Sequence, residues 1–291
     1  MKIVKQPYKK ILIAFAIASI MACSKEEKLT ESQLDTSTPL SLSDTDVWIK
    51  SNFVDPYNVR VQYKWNQNVV DNNRFLYPPI ESKVIEAMEV VQKLWIDSYN
   101  TAGGPDFIKK LAPREFVLVG GMNLNTTGTI TLGIAEGGMR ITLFEIDLLK
   151  RNQRADVQRF IHTLQHEYVH ILNQTKAFDE KAFGAITPSG YNANWYEIDD
   201  TEAREKGFIT AYAQSSAFED FAEMASTMLD YSKADYDAEI INKIDIKNVQ
   251  AKAALRAKEA LVVKYYKDIF NIDFYVLQAA VEQNRQYILS L

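Results

Sequence analysis

The stretch His162–Leu172, with the sequence HTLQHEYVHIL, decides how this 291-residue chain is interpreted. It holds all three histidines of the chain, and the last two stand in a His-Glu-x-x-His frame. Apolar residues recur around them at helical intervals, and neither Gly nor Pro interrupts residues 156–174, so the sequence predicts a helix. Side chains four residues apart lie on one helical face, which would let His166 and His170 bind one metal ion.

The residues beside this pair suggest its chemistry. Glu167 would lie next to the metal rather than on it, where it could take a proton from a water that zinc acidifies. His162 lies one turn before His166 but about 12 Å along the helix axis from His170, too far for one zinc to bind all three. We therefore expect His162 to support a ligand, line the cleft rim or serve the structure. The third protein ligand must be a carboxylate or something rarer, because no histidine remains.

The N-terminal residues have the pattern of an export signal. Residues 1–10 carry four lysines and no acidic residue, and an apolar run then leads to Cys23, the only cysteine. The run of about 12 residues is shorter than the roughly 20 that a membrane span needs, so residues 1–22 are predicted to be a signal peptide. The segment ending at Cys23 resembles the lipobox of bacterial lipoproteins, in which this cysteine is lipidated and becomes the first mature residue. Residues 24–27 resemble an acidic surface-export signal of Bacteroidetes-like bacteria, with a plain polar linker as the alternative.

The charge and composition of the mature chain limit its partners and its organisation. Loss of residues 1–22 removes four lysines and no acid, so 33 basic residues become 29 against 38 acidic ones, a charge near −9. This acidity argues against a nucleic-acid surface. Residues 23–45 are polar and are predicted to form a flexible tether. Residues 46–291 are long enough for one folded domain of two parts, with residues 46–175 holding a sheet and the histidine helix.

Alternation and turn residues predict the elements before the histidine helix. A helix is expected from about residue 81 to 99, closed by Gly103, Gly104 and Pro105. Strands are expected at residues 59–65, 115–120, 129–132 and 139–144, the last two joined by a turn at 135–138. These elements predict an α+β fold with a mixed or mostly antiparallel sheet. Strand 139–144 could offer its edge to an extended peptide or form a hairpin in the core.

A second helix supplies candidate carboxylates. Ser216 is predicted to cap a helix that runs to about residue 231, in which Glu219 and Glu223 share one face. Its inward-facing residues are predicted to be Phe218, Phe221, Ala222, Ala225 and Met228. Burying a carboxylate unpaired is costly, and a zinc ion would provide the reason for one on this face. The aromatic loop at residues 178–205 could wall a substrate cleft.

Taken together, the His166-Glu167-x-x-His170 frame, Tyr212 and Glu219–Glu223 resemble the glutamate-type zincins. The likeness is strongest to zinc metallopeptidase lipoproteins associated with TonB-dependent nutrient import in Bacteroidetes, and more distant to the anthrax lethal factor catalytic domain. The motifs cover about residues 160–230. The resemblance implies a zincin-like fold for residues 46–291.

The resemblance also implies the roles of the site residues. His166, His170 and Glu219 would bind Zn²⁺ and Glu167 would act as general base. Glu223 would accept a hydrogen bond from a liganding imidazole, and the Tyr212 hydroxyl would stabilise the developing oxyanion. Two alternatives stay open at this point. Glu219 and Glu223 could exchange roles, and Asp220 is a further candidate carboxylate.

The C-terminal part, residues 176–291, is predicted to end in a helical lobe that contributes no chemistry. Helices are expected at residues 236–244, 249–266 and 274–289, and Lys252, Arg256, Lys258 and Glu259 are predicted to form a solvated face. The expected function is a zinc metallopeptidase that cleaves a peptide or related amide. It would be anchored to the outer membrane at the surface or periplasmic face, with a TonB-dependent import complex as a partner. The alternatives are a catalytically silent binding lipoprotein serving a nutrient importer, or a structural zinc, for which no fourth protein ligand is evident.

Overall fold

The histidine helix packs on a four-stranded mixed sheet. In the computed structural model, which describes residues 41–126 and 128–291, the strands are ordered β1-β2-β6-β5. Strands β1, β2 and β6 are parallel, and β5 is antiparallel to β6. Strands β3 and β4 form a separate antiparallel pair. The bounds are β1 (Arg60–Gln62), β2 (Glu115–Leu118), β3 (Asn123–Leu124), β4 (Ile130–Thr131), β5 (Gly133–Glu136) and β6 (Arg140–Leu143).

The predicted mixed α+β architecture is confirmed, but the details of its hairpin were wrong. The expected strand 129–132 is divided, because Ile130–Thr131 pairs with β3, whereas β5 begins at Gly133 and includes part of the expected turn. Gly133 lay outside the expected strands, yet it begins β5, where the histidine helix approaches closely. Of the two alternatives for residues 139–144, the core hairpin is confirmed and a free edge is excluded, because β6 pairs with β5 on one side and lies beside β2 on the other. The free edge of the sheet on that side belongs to β5.

Helices make up most of the remaining described chain. Residues 81–103 form one helical segment with a π-helical turn, Gln92–Asp97, in its middle, and it ends before Gly104, whose φ is 91°. A similar π turn, Lys50–Val54, follows the first helix and leads into the short helix Asp55–Tyr57. The α-helices longer than three residues are, in chain order, α1 (Asp44–Ile49), α2 (Glu81–Val91), α3 (Ser98–Gly103), α4 (Phe107–Leu111), α5 (Arg154–Thr175), α6 (Glu180–Gly184), α7 (Asp200–Glu205), α8 (Ala217–Leu229), α9 (Lys233–Glu239), α10 (Val249–Phe270) and α11 (Phe274–Leu289).

Helix α5 is fixed by the core on the side away from its histidines. Tyr168 follows His166 by two residues, which places it about 200° further round the helix. Its ring is fully buried and meets Trp95 and Tyr99 edge to face, at centroid distances of 4.9 and 5.0 Å. Burying each such ring stabilises the fold by roughly 1.5–3 kcal/mol. This packing leaves the opposite face of α5, with His166 and His170, turned towards β5 and α8.

The start of the described chain differs from the predicted tether. The signal peptide, Cys23 and the tether up to residue 40 lie outside the described residues. Helix α1, however, begins at Asp44, within the segment predicted to be flexible. The Ser43 hydroxyl accepts a hydrogen bond from the Asp46 amide at 3.2 Å, and the Asp46 carboxylate accepts one from the Ser43 amide at 3.1 Å. This reciprocal capping fixes the first turn.

Two predictions about which side chains face solvent were wrong. Phe218 is 45% exposed rather than inward, because the first turn of α8 faces a cleft. Lys258 and Glu259 are buried rather than solvated, because α10 packs against α8, where Lys258 pairs with Asp220, and Glu259 pairs with Arg256 on α10 itself. Within the described ranges, no helix is both long enough and apolar enough to cross a membrane.

Candidate metal centre

Two helices bring the candidate ligands together. Helix α5 carries His166 and His170 one turn apart, and it packs against α8, which carries Glu219 in its first turn. The predicted cap is present, since the Ser216 hydroxyl accepts a hydrogen bond from the Glu219 amide at 3.2 Å. This bond satisfies one of the free amides at the start of α8 and fixes the position of the Glu219 backbone.

Three donor atoms form a small triangle at this junction. His166 Nε2 and His170 Nε2 lie 3.0 Å apart, and Glu219 Oε2 lies 3.0 and 3.2 Å from them. Ligands of a tetrahedral zinc at about 2.0–2.1 Å are about 3.3 Å from one another, so the triangle has the size of one face of a zinc site. Two imidazole nitrogens and one carboxylate oxygen are also the donor types that zinc prefers.

The charges around the triangle favour a cation there. Burial opposes ionisation of Glu219, but its hydrogen bonds with His166 and His170 lower its pKa to about 2. Burial also opposes a charge on His166, yet Glu219 and Glu223 raise its pKa to about 10. The surroundings of these donors thus stabilise positive charge, which a proton or a metal ion can supply.

Glu167 lies between the triangle and the edge strand. Its side chain is almost fully buried, and burial raises the pKa of its carboxyl group. The Ala135 amide donates a hydrogen bond to it, and a Cβ on Gly133 would lie 2.6 Å from Thr163 Cγ2 and 3.0 Å from Glu167 Cγ. A carboxyl group whose pKa is raised towards neutrality is suited to accept and return a proton. The importance of Gly133 was not evident from the sequence.

Tyr212 lies across the cleft from Glu167, in the short 3₁₀ helix Tyr212–Ser215. Its ring centroid is 5.9 Å from that of His166, and the Trp195 ring packs edge to face on it at 4.9 Å. Burial, with the nearby carboxylates, raises the pKa of Tyr212, so its hydroxyl stays protonated and can donate a hydrogen bond. Trp195 also shows that the aromatic loop does line the cleft.

The two glutamates of α8 occupy different positions. Glu219 faces the Nε2 atoms of both imidazoles, whereas Glu223 Oε1 lies 2.7 Å from Nδ1 of His166, on the other side of that ring. The other oxygen of Glu223 accepts a hydrogen bond from the Thr210 hydroxyl at 2.7 Å. Of the two carboxylates, the geometry therefore places Glu219 with the donor atoms and Glu223 behind His166.

His162 and Asp220 lie outside the triangle. His162 Nδ1 is 2.7 Å from Asp230 Oδ2, and its Nε2 is 3.2 Å from Glu223 Oε1. Asp220 points away from the histidines and forms an ion pair with Lys258, Nζ to Oδ2 at 2.6 Å. Asp220 is thus in a buried ion pair, and the alternative that it is a ligand was wrong. Asp230 was missed in the sequence, because nothing local links it to a histidine 68 residues away.

The donor triangle lies in an open cleft along β5. One cavity of 470 Å³ extends towards His162 and is walled by Trp195 and Ile130. Another of 570 Å³ extends past His170 towards Asn173 and Phe218. Both are bordered by Gly133 and Tyr212, so they meet at the triangle.

The edge of β5 presents backbone groups to this cleft. In an antiparallel pair, alternate residues exchange hydrogen bonds with the partner strand. The Phe144 amide donates to the Leu132 carbonyl, and Ile134 pairs with Thr142 two residues further along. Gly133 and Ala135 therefore direct their amide and carbonyl groups away from β6.

Comparisons with known proteins place the chain in a zinc-binding family. Residues 39–275 match the model of the family described as "Putative zinc-binding metallo-peptidase". The chain is also similar to a solved structure described as a "putative zinc-binding metallo-peptidase from Bacteroides caccae ATCC 43185", with 27% identity and a TM-score of 0.70. That similarity covers 85% of this chain and 93% of the other. No curated protein matches the chain.

Proposed function

Because the chain belongs to the family of zinc-binding metallo-peptidases whose model it matches, we propose that it hydrolyses peptide bonds with His166, His170 and Glu219 holding Zn²⁺. The observation that carries this proposal is the triangle of donor atoms 3.0–3.2 Å apart with Glu167 beside it. When bound, zinc would acidify a water and polarise the carbonyl group of a substrate. The mixed sheet, with an antiparallel edge strand beside the histidine helix, supports a zincin-like fold of the glutamate type.

The chain's own residues would handle the protons and the substrate. Glu167 would accept the proton of the attacking water and return it to the leaving nitrogen. The protonated Tyr212 hydroxyl would donate a hydrogen bond to the carbonyl oxygen as negative charge develops on it. Gly133 would offer its amide and carbonyl, and Ala135 its carbonyl, for pairing with an extended peptide.

Hydrolysis is favoured over a silent binding role by the openness of the cleft. A binding protein with an obstructed site would have the aromatic loop across the donor triangle. Instead Trp195 packs against Tyr212 and leaves cavities on both sides. A purely structural zinc is disfavoured because Glu167 lies beside the triangle within an open cleft, whereas a structural site is closed by a fourth protein ligand.

We also propose that the mature protein is an outer-membrane lipoprotein attached through Cys23. The support is the lysine-rich start, the short apolar run and the position of the only cysteine at its end. Association with a TonB-dependent import complex is part of this proposal and rests on the family resemblance. Fatty-acid labelling of wild type and Cys23→Ala in a bacterial host, followed by membrane fractionation, tests the anchor.

The test of the peptidase is a comparison of wild type with Glu167→Gln. Both should contain about one zinc per chain, because Glu167 is not a ligand. Hydrolysis of a peptide mixture should fall at least about 100-fold in the variant. Zinc bound without any hydrolysis that depends on Glu167 would contradict the proposal. His166→Ala is the matched control, in which zinc and hydrolysis should be lost together.

A further inference from the structure

The cleft offers room for a peptide on both sides of the donor triangle. The two cavities have similar volumes, 470 and 570 Å³, and His166 and Glu167 line both. Gly133 borders both, and β5 continues to Ala135 beyond it. A substrate that pairs with this edge can therefore extend in both directions from the bond next to Glu167.

Among the described residues, neither half of the cleft offers an unpaired charged side chain that could bind the terminus of a peptide substrate. Among the described residues that line the two cavities there is no lysine or arginine that could pair with a terminal carboxylate. The carboxylates there are already engaged: Glu219 with two imidazoles, Glu223 with two imidazoles and a hydroxyl, and Glu167 with the Ala135 amide. Bringing a charged terminus into such a site without a partner is costly.

We propose that the site cleaves internal bonds of extended peptide segments, as an endopeptidase without recognition of either terminus. This inference rests on the proposed peptidase function. Binding would come from the backbone groups of β5, which any peptide bond can satisfy, and from the apolar walls formed by residues such as Trp195 and Phe218. Cleavage within a chain requires backbone pairing that does not depend on the substrate sequence. It also requires cleft ends that do not bind a charged terminus.

Two pools of randomised decapeptides test this with the zinc-loaded protein, one with free termini and one acetylated and amidated. Mass spectrometry of the products should show cuts at internal positions and rates that agree within about threefold between pools. Cuts confined to the terminal bonds, with a loss of at least about tenfold on blocking, would overturn this inference alone. No cleavage of either pool would overturn the proposed function with it. Glu167→Gln is the control for contaminating proteases.

Three residues behind His166 are linked to its ring. Asp230, His162 and Glu223 form a continuous chain of contacts that ends 2.7 Å from His166 Nδ1. Both ends of the chain are fixed, since Thr210 donates to Glu223, and Arg285 donates to the Asp230 carbonyl at 2.8 Å. The chain therefore ties the orientation of the His166 ring to the C-terminal end of α8.

The same groups could be mistaken for a second metal site. Ligand atoms of His162, His166 and Glu223 all lie within 4.8 Å of one another. The contact between His166 Nδ1 and Glu223 Oε1 is 2.7 Å, however, which is a proton-sharing distance and shorter than the roughly 3.3 Å between two ligands of one tetrahedral zinc. Glu223 Oε1 is thus an ion-pair partner of the imidazole rather than its co-ligand.

The geometry also points to His162 and Asp230 as positioning residues for the zinc ligand His166, acting through Glu223. Removing the partner of a liganding histidine typically weakens metal binding by about 10–100-fold. We therefore expect His162→Leu and Asp230→Asn each to raise the dissociation constant for zinc within about this range. The double variant should lose little more than either single one, because both changes break the same chain.

Competition with a chromogenic chelator measures zinc affinity independently of peptidase activity. Gln158→Leu, one turn before His162 on α5, is the control and should bind zinc like wild type. Unchanged affinity in both His162→Leu and Asp230→Asn, or about two zinc ions per wild-type chain, would overturn the inference. Failure of wild type to bind zinc would overturn it together with the proposed function. Thermal melting of each apo variant separates loss of the fold from loss of the site.

Discussion

Lys258 and Asp220 form an ion pair, Nζ to Oδ2 at 2.6 Å, in which both side chains are completely buried. The Tyr191 hydroxyl donates to the same carboxylate oxygen at 3.0 Å, and Lys258 also donates to the Gly207 carbonyl at 2.8 Å. The pair joins α10 to the first turn of α8 and to the aromatic loop. It therefore fixes Asp220, the residue next to Glu219, on the side of α8 opposite the cleft.

Loss of Lys258 should destabilise the fold more than most single changes. Lys258→Met leaves Asp220 buried without a cation, which should cost about 3–5 kcal/mol in the free energy of unfolding. Urea denaturation measures this change in the free energy of unfolding. The double variant Lys258→Met with Asp220→Leu should recover part of the loss, because it removes the unpaired charge as well. Lys264→Met, on an exposed position of α10, should change stability by less than about 0.5 kcal/mol. A loss in Lys258→Met no larger than this would contradict the assigned role.

A methyl group at Gly133 should impair catalysis without removing the metal. Gly133→Ala places its Cβ 2.6 Å from Thr163 Cγ2 and 3.0 Å from Glu167 Cγ, so one of these side chains must move. Displacing the general base should lower kcat by about tenfold or more. Thr163→Ser, which removes the obstructing methyl group, should restore part of the activity in the double variant. Zinc content should stay unchanged. Full activity in Gly133→Ala would show that the backbone of β5 moves and that Glu167 keeps its position.

The hydroxyl of Tyr212 should act on the rate rather than on the metal. Tyr212→Phe keeps the ring that packs against Trp195 and removes only the hydrogen-bond donor. The loss of one donor to a developing oxyanion should lower kcat by about 100-fold with little change in KM. Tyr196→Phe, which changes the neighbour of Trp195 in the aromatic loop, should remain fully active. Equal activity of the two variants would exclude Tyr212 from the chemistry.

Acid should remove one identifiable contribution to stability. Burial opposes ionisation of Glu282, but hydrogen bonds from Arg154 and Gln286 lower its pKa, so the folded value lies below the unfolded one. Its contribution is therefore present above about pH 4.3 and is lost as the pH falls through the folded pKa.

Glu282→Gln should make this contribution visible. Its Tm should lie about 3 °C below that of wild type at pH 7, and the difference should disappear in acid. Glu239→Gln, whose side chain is half exposed, should show little difference at either pH. A difference for Glu282→Gln that stays constant down to the lowest pH would show that the carboxylate charge is not the cause. Calorimetric scans over this pH range provide the measurement.

Local patterns were enough to predict the two helices of the site, α5 and α8, and the histidine pair. The spacing of His166 and His170, the Ser216 cap and the apolar faces are properties of a few consecutive residues, and these set helix boundaries. The nearly continuous apolar run at residues 115–120 likewise predicted a strand, which is β2. What the sequence did not reveal was which strand pairs with which, because strand order depends on residues far apart in the chain.

The same limit explains the errors at the site. Lys258 was predicted to be solvated because lysine usually is, and its partner Asp220 lies 38 positions earlier on another helix. Asp230 could not be linked to His162 for the same reason. Gly133 lay outside the expected strands, although its lack of a side chain is what lets α5 approach β5. Each error concerns a contact between elements rather than the nature of an element.

The unpaired edge of β5 has a consequence for the protein in concentrated solution. An open strand edge can seed sheet growth between molecules, which leads to aggregation. Here the strand has only four residues, and α5 and α8 stand beside it with Glu167 and Glu219. We therefore expect the short edge and the two helices beside it to admit one flexible strand and to disfavour pairing with the sheet of a second molecule.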